Sequence, residues 1–206
     1  MKAMSPSLIV AFALLTLIAA SARSQTVVTF DDLPNSTTGT FIASPYSGLN
    51  WSNFYVVNAA IHANVLGTNG AFYGMVTASN VAFNGFGNPA EIDSPGTNFN
   101  FLSAYLTGVW NSNLNIQVEG FNGTNLLYNQ TVVASATDPT LFTFNYLDID
   151  RLYFDSYGGE PAFTPVPEYH FAMDNFTFEF VPEPSSLLLA TAGALLLWPL
   201  LKRKPA

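Results

Sequence analysis

Between Leu114 and Glu119 the chain alternates without exception: Leu114, Ile116 and Val118 are apolar, while Asn115, Gln117 and Glu119 are polar. A period of two puts the two sets on opposite faces of an extended strand, so one face is dry and the other wet. Asn122-Gly123 then supplies a tight turn, and Leu126 to Val133 the returning strand of a hairpin. Similar segments recur along the chain. Val27 to Phe30 reads as a first strand ended by Asp31-Asp32-Leu33-Pro34, and Phe99 to Trp110 is apolar on both faces, as a central strand requires. Phe142, Phe144 and Tyr146 alternate with Thr143 and Asn145; Arg151 to Tyr157 follows, and Tyr169 to Phe180 closes the series. Weaker strand signals lie at Gly70 to Thr77 and Asn80 to Phe83, and the Gly- and Pro-rich stretch Asn84 to Asn98 reads as a loop. Short strands separated by turn residues, with no convincing amphipathic helix, predict an all-β fold over residues 26–180: an antiparallel β-sandwich of jelly-roll type.

The closing strand carries a local irregularity. Phe176, Phe178 and Phe180 share one parity, and Phe171 and Met173 have the other. The apolar face therefore switches at Asp174-Asn175, which predicts a bulge. Extending the Phe176 face backwards points Asp174 inward, where a carboxylate needs a cation, hydrogen-bond donors or a proton.

Charge is distributed unevenly. Lys2, Arg23, Lys202, Arg203 and Lys204 lie at the two ends of the chain, so Arg151 is the one basic residue facing the thirteen acids between Asp31 and Glu179. One arginine against thirteen acids gives this middle region a formal charge of −12, compared with −8 for the whole chain. Such a surface repels phosphate, which excludes nucleic acid as a partner. The absence of cysteine excludes disulfides, thiol catalysis and cysteine-based zinc sites.

Both ends are apolar. Lys2, the run from Leu8 to Ala20 and the small residues Ala20-Ser21-Ala22 form the three regions of a secretory signal peptide, residues 1–24, helical in its apolar part. At the other end, Pro182-Glu183-Pro184 is followed by an apolar run from Leu187 to Leu201 and by Lys202-Arg203-Lys204. The prolines keep the peptide extended, the run suits a short membrane helix, and the basic cluster holds the end on the cytoplasmic side. In this order, the three features of residues 181–206 resemble the PEP-CTERM sorting domain of Gram-negative bacteria. The resemblance implies that Pro182, Glu183 and Pro184 are the sorting motif. It also implies a transpeptidase of the exosortase type as partner, a passage through the inner membrane, and a destination at the cell surface or beyond. Pro199 and the single Gly193 in the apolar run depart from the usual pattern.

The segment Phe171 to Phe178 (Phe-Ala-Met-Asp-Asn-Phe-Thr-Phe) also resembles the closing strand of galactose-binding-like jelly rolls, the fold of many carbohydrate-binding modules. In several of those, the strand's acid helps hold a structural calcium ion near the first strand. The resemblance therefore implies Asp174 with Asp31 and Asp32 as a calcium site, against the alternative that these acids are solvated or bonded to backbone amides. A second expectation is the binding of an extracellular polysaccharide. Tyr46, Trp51, Phe54, Tyr55, Tyr73 and Trp110 lie among Asn and Gly, so rings that stack on sugars occur beside amides that read hydroxyls. Trp51, Tyr55 and Trp110 are the candidates singled out. Catalysis has less support: His62 and His170 sit in no triad or metal motif, and Glu91 with Asp93 offers only a carboxylate pair in an apparent loop. The expectation is thus an exported, non-catalytic surface or matrix protein, the alternative a secreted carbohydrate-active hydrolase.

Overall fold

Fourteen strands and two short helices carry the described chain, residues 24–165 and 168–182 of a computed structural model. In chain order the strands are β1 (Thr26–Val28), β2 (Thr40–Phe41), β3 (Asn50–Ser52), β4 (Phe54–Asn58), β5 (Asn80–Asn84), β6 (Ala90–Asp93) and β7 (Phe99–Gly108). They continue as β8 (Asn111–Ser112), β9 (Leu114–Asn122), β10 (Asn125–Ala134), β11 (Thr140–Ile149), β12 (Arg151–Tyr157), β13 (Glu160–Pro161) and β14 (Phe171–Phe180). Helices α1 (Ala59–Leu66) and α2 (Gly70–Tyr73) lie between β4 and β5. Residues Ser24–Val181 form one compact unit. The expected signal peptide, Glu183, Pro184 and the tail that follows them lie outside the described residues; Pro182, the last described position, is exposed.

The fold is an antiparallel β-sandwich. One sheet runs β11-β7-β14-β5-β4-β2, with β1 paired to the second half of β14, and the other runs β10-β9-β12-β6-β3. Between them lies an aromatic core in which Trp51 meets Phe176 at 5.5 Å and Phe54 meets Phe154 at 5.7 Å, edge to face. Leu114, Ile116 and Val118 point into this core and their polar neighbours do not, as their alternation requires. The hairpin at Asn122-Gly123 also forms, with Gly123 at a positive φ of 58°. β3 and β4 belong to different sheets although only Asn53 separates them. Asn53 turns the corner at φ 56°, a conformation that asparagine tolerates better than most residues.

Three expectations are corrected. Gly70 to Thr77 is not a strand but α2 and the turns after it. The Asn69 side chain caps the Ala71 amide at 3.0 Å, and Gly70 lies so close under the Gly108 carbonyl that a Cβ would come within 1.8 Å of its oxygen. A helix was also missed at Ala59–Leu66, where Asn58 accepts from the Ile61 amide at 2.9 Å and Gly67 ends the helix at φ 90°. Last, the supposed loop Asn84 to Asn98 contains β6. Its Ala90 and Ile92 are buried and alternate with Glu91 and Asp93, a pattern too short to stand out between two prolines.

Candidate functional site

The bulge in β14 decides where Asp174 points. Pairing with β7 slips between Asp174 and Thr177, and Asn175 sits in the left-handed region at φ 50°. Phe171 and Met173 before the bulge, and Phe176 and Phe178 after it, all reach the sandwich core. Asp174 shares its parity with Ala172, on the opposite side of the sheet. The inward direction expected for Asp174 is therefore corrected: the extra residue inverts the parity, and the carboxylate is buried beneath the segment after α2, not inside the sandwich. There it accepts from the Val76 and Thr77 amides at 2.8 and 2.9 Å, from the Asn175 amide at 2.7 Å and from the Thr77 hydroxyl at 3.2 Å. Burial raises its pKa above the ordinary carboxylate range, and these donors pull in the other direction.

Arg151 does not partner Asp174. Its guanidinium lies 3.2 Å from Glu91 and 4.1 Å above the Phe121 ring, on the other sheet. Asp31 accepts from the Asn80 amide at 3.0 Å, and Asp32 from the Tyr46 hydroxyl. The three acids expected to hold calcium thus have separate partners. Among the described residues, no group of three or more His, Asp or Glu side chains is placed to hold a metal ion. As placed, they make no calcium cage, because amide and hydroxyl donors already point at the Asp174 oxygens. The thermal unfolding midpoint is expected to be the same in calcium and in EGTA. A rise of several degrees with calcium would show that the ion draws these acids together.

The sugar-binding candidates also separate. Trp51 is only 2% exposed, in contact with Phe30, Tyr46, Phe54 and Phe176, and its indole N–H donates to the Tyr46 carbonyl at 3.0 Å. It is a core residue, out of reach of any ligand, because β3 turns it inward. Tyr55 and Trp110 lie on the outer face of the first sheet, half-buried.

Trp110 lines a cavity of ≈ 400 Å³ together with Val57, Phe83 and Val109, with His62 of α1 and Ala71 of α2, and with Thr164, Glu168 and His170. That volume suits a small ligand. Its wall is held in place by the Trp110 carbonyl, which accepts from the Ala162 and Phe163 amides at 2.8 and 3.3 Å, and by Phe163 stacked on Tyr73 at 5.9 Å. Both histidines of the chain line it, together with Glu168 and Thr38. His62 has its Nδ1 2.8 Å from the Thr37 carbonyl and its Nε2 2.9 Å from the Asn69 amide nitrogen. With a proton on Nδ1 the ring donates to the carbonyl and accepts from the amide, so one tautomer serves both contacts. His170 lies over Phe83, and Glu168 is 3.4 Å from its Nδ1 without hydrogen-bond geometry. Burial lowers the His170 pKa and Glu168 partly opposes this, so the ring contributes stability above its ordinary pKa that is lost as acid protonates it.

No protein-family model and no curated protein matches the sequence. Among solved structures, a DUF4465 family protein from Bacteroides ovatus is similar over 77% of this chain and 100% of its own, at 11% identity and a TM-score of 0.45. The K1 cleaved adhesin domain of Lys-gingipain from Porphyromonas gingivalis is similar over 78% and 99%, at 8% identity and a TM-score of 0.44. TmCBM61, a carbohydrate-binding module solved with β-1,4-galactotriose, is similar over 66% and 90%, at 10% identity and a TM-score of 0.35. At these scores the likenesses add no argument, and the sandwich assignment rests on the two sheets and their register.

Sequence reasoning missed Phe83, Glu168 and the convergence of His62 with His170. One signal was available. From Leu33 to Ala90, 58 consecutive residues contain no Asp, Glu, Lys or Arg. This stretch builds β2, β4, β5, α1 and α2, so the part of the outer face beside the cavity is free of charge within an otherwise acidic domain.

Proposed function

We propose that the chain is an exported, non-catalytic carbohydrate-binding protein of the cell surface or extracellular matrix, which holds a neutral sugar in the Trp110 cavity. The observation that carries this reading is the lining itself: Trp110 and Phe83 supply ring surface, while His170, Glu168 and Thr38 supply polar groups beside it. Sugars are bound by this combination, with C–H faces on aromatic rings and hydroxyls on polar atoms. A neutral ligand fits the charge, because Arg151 is engaged by Glu91 and, among the described residues, no lysine or arginine lines the cavity.

The hydrolase alternative draws on the meeting of two histidines and a glutamate. Against it, a glycosidase needs two carboxylates across the scissile bond, and among the described residues Glu168 is the one carboxylate lining the cavity. Both ring nitrogens of His62 are already bonded. Export rests on the signal peptide and on the PEP-CTERM-like tail, with an exosortase-type transpeptidase as partner. Mass spectrometry of the mature protein tests this part, and a product still ending at Ala206 would make the tail an ordinary anchor.

The cavity is tested on an array of neutral, amino and acidic glycans. Neutral glycans are expected to bind, and Trp110→Ala to weaken them about tenfold or more, since a Trp platform dominates a small site. A blank array, or binding indifferent to Trp110→Ala, would remove the reading. Release of reducing sugar from bound glycans would favour the hydrolase.

A further inference from the structure

Across the outer face of the first sheet, the strand register aligns Phe41 with Tyr55, Tyr55 with Phe83, and Phe83 with Ala172. The three rings form one row perpendicular to the strands, with centroids 5.6 and 5.7 Å apart. Phe83 at the inner end also lines the Trp110 cavity, so row and cavity are continuous. At the outer end, Phe41 is 50% exposed. Beside Tyr55 stands a fourth ring, Phe86, at 6.1 Å and edge to face.

Phe86 is costly to place. It is 76% exposed and its backbone lies at φ 57° and ψ 20°, a left-handed conformation that costs a bulky residue about 1–3 kcal/mol. The surrounding turn is nevertheless fixed. The Asn53 side-chain amide donates to the carbonyls of Gly85, Asn88 and Pro89 at 3.1, 3.3 and 2.9 Å. Gly85 lies so close that a Cβ would come 2.4 Å from Asn53 Oδ1 and 2.5 Å from Tyr55 Cε2. The fold thus holds an exposed apolar ring rigidly in solvent against both its backbone preference and its hydrophobicity. Beyond its edge-to-face contact with Tyr55 the ring is left to solvent, and a ring held in place lowers the ordering cost of binding.

We propose that Phe83, Tyr55 and Phe41, with Phe86 beside Tyr55, form the subsites of an extended neutral polysaccharide, which leaves the Trp110 cavity and crosses the strands. The proposal rests on the cavity reading above and extends it from one sugar to a chain. The charge-free stretch from Leu33 to Ala90 carries all four rings, so beyond Glu168 and His170 in the cavity the rings themselves bring no charge to the path. A second copy of the chain is a poorer occupant, because each domain brings thirteen acids against one arginine to the contact.

The test uses the purified full chain in calorimetric titrations with oligosaccharide ladders of one to six units. The ladders cover β-1,4-glucan, β-1,3-glucan, β-1,4-mannan, β-1,4-galactan and α-1,4-glucan. Affinity for at least one ladder is expected to rise about tenfold or more from monomer to tetramer. Phe86→Ala and Phe41→Ala, both at exposed side chains, should flatten that rise and leave monomer affinity unchanged. Length-independent binding that still depends on Trp110 would overturn the row and leave the cavity standing. Self-association abolished by Phe86→Ala would overturn the row alone, and no binding to any ladder would overturn both.

Discussion

Replacing Asp174 with alanine is expected to cost the domain about 3–5 kcal/mol, read as a lower urea midpoint at unchanged slope. The side chain is fully buried and collects three backbone amides and the Thr77 hydroxyl. Alanine removes the acceptor and leaves those amides dry, and each stranded donor costs about 1–3 kcal/mol before relaxation. Asp174→Asn should lie between wild type and alanine, since one amide oxygen still accepts while the new N–H₂ meets donors. A loss below about 1 kcal/mol for alanine would mean that water reaches the site. The proton linkage runs the other way from the common carboxylate case. With the folded pKa raised, the folded state takes up the proton first, so lowering the pH through that window favours folding at this group.

Trp51→Ala is expected to be of similar size, about 3–5 kcal/mol, for a different reason. It empties the centre of the sandwich, where Trp51 contacts Phe30, Tyr46, Phe54 and Phe176, and it removes one of the two donors to the Tyr46 carbonyl, which keeps the Leu49 amide. Trp110→Ala should leave the unfolding midpoint nearly unchanged while reducing glycan binding. The pair of variants therefore separates a packing tryptophan from a binding one. If Trp51→Ala kept wild-type stability, the placement of β3 against β14 would be wrong.

These two residues also show how far sequence reading reaches. A period-two pattern says that a strand has two faces, so Leu114, Ile116 and Val118 could be assigned to a core from the sequence alone. It does not say which neighbours cover a ring. Trp51 and Trp110 lie in similar Asn-rich surroundings and differ only in which side of which sheet they join. At Asp174 the position of the irregularity was legible, because the phenylalanine parity switches there. Its consequence was not, because the direction of a side chain next to a bulge depends on which residue the partner strand leaves unpaired. The two helices were hidden because their capping asparagines, Asn58 and Asn69, sit in a segment with no amphipathic period to announce them.

An antiparallel β-sandwich between two apolar ends, a domain with one arginine against thirteen acids, and the place where its last strand bulges could all be read from the chain alone. Those properties follow from short-range patterning and charge, which the chain carries in any conformation. That Asp174 is satisfied by amides, that Trp51 is core, and that Trp110, Phe83, His62 and His170 share one cavity emerges at the level of packing. Those residues lie in different elements far apart in sequence, and strand register, which long-range packing sets, brings them to the same face.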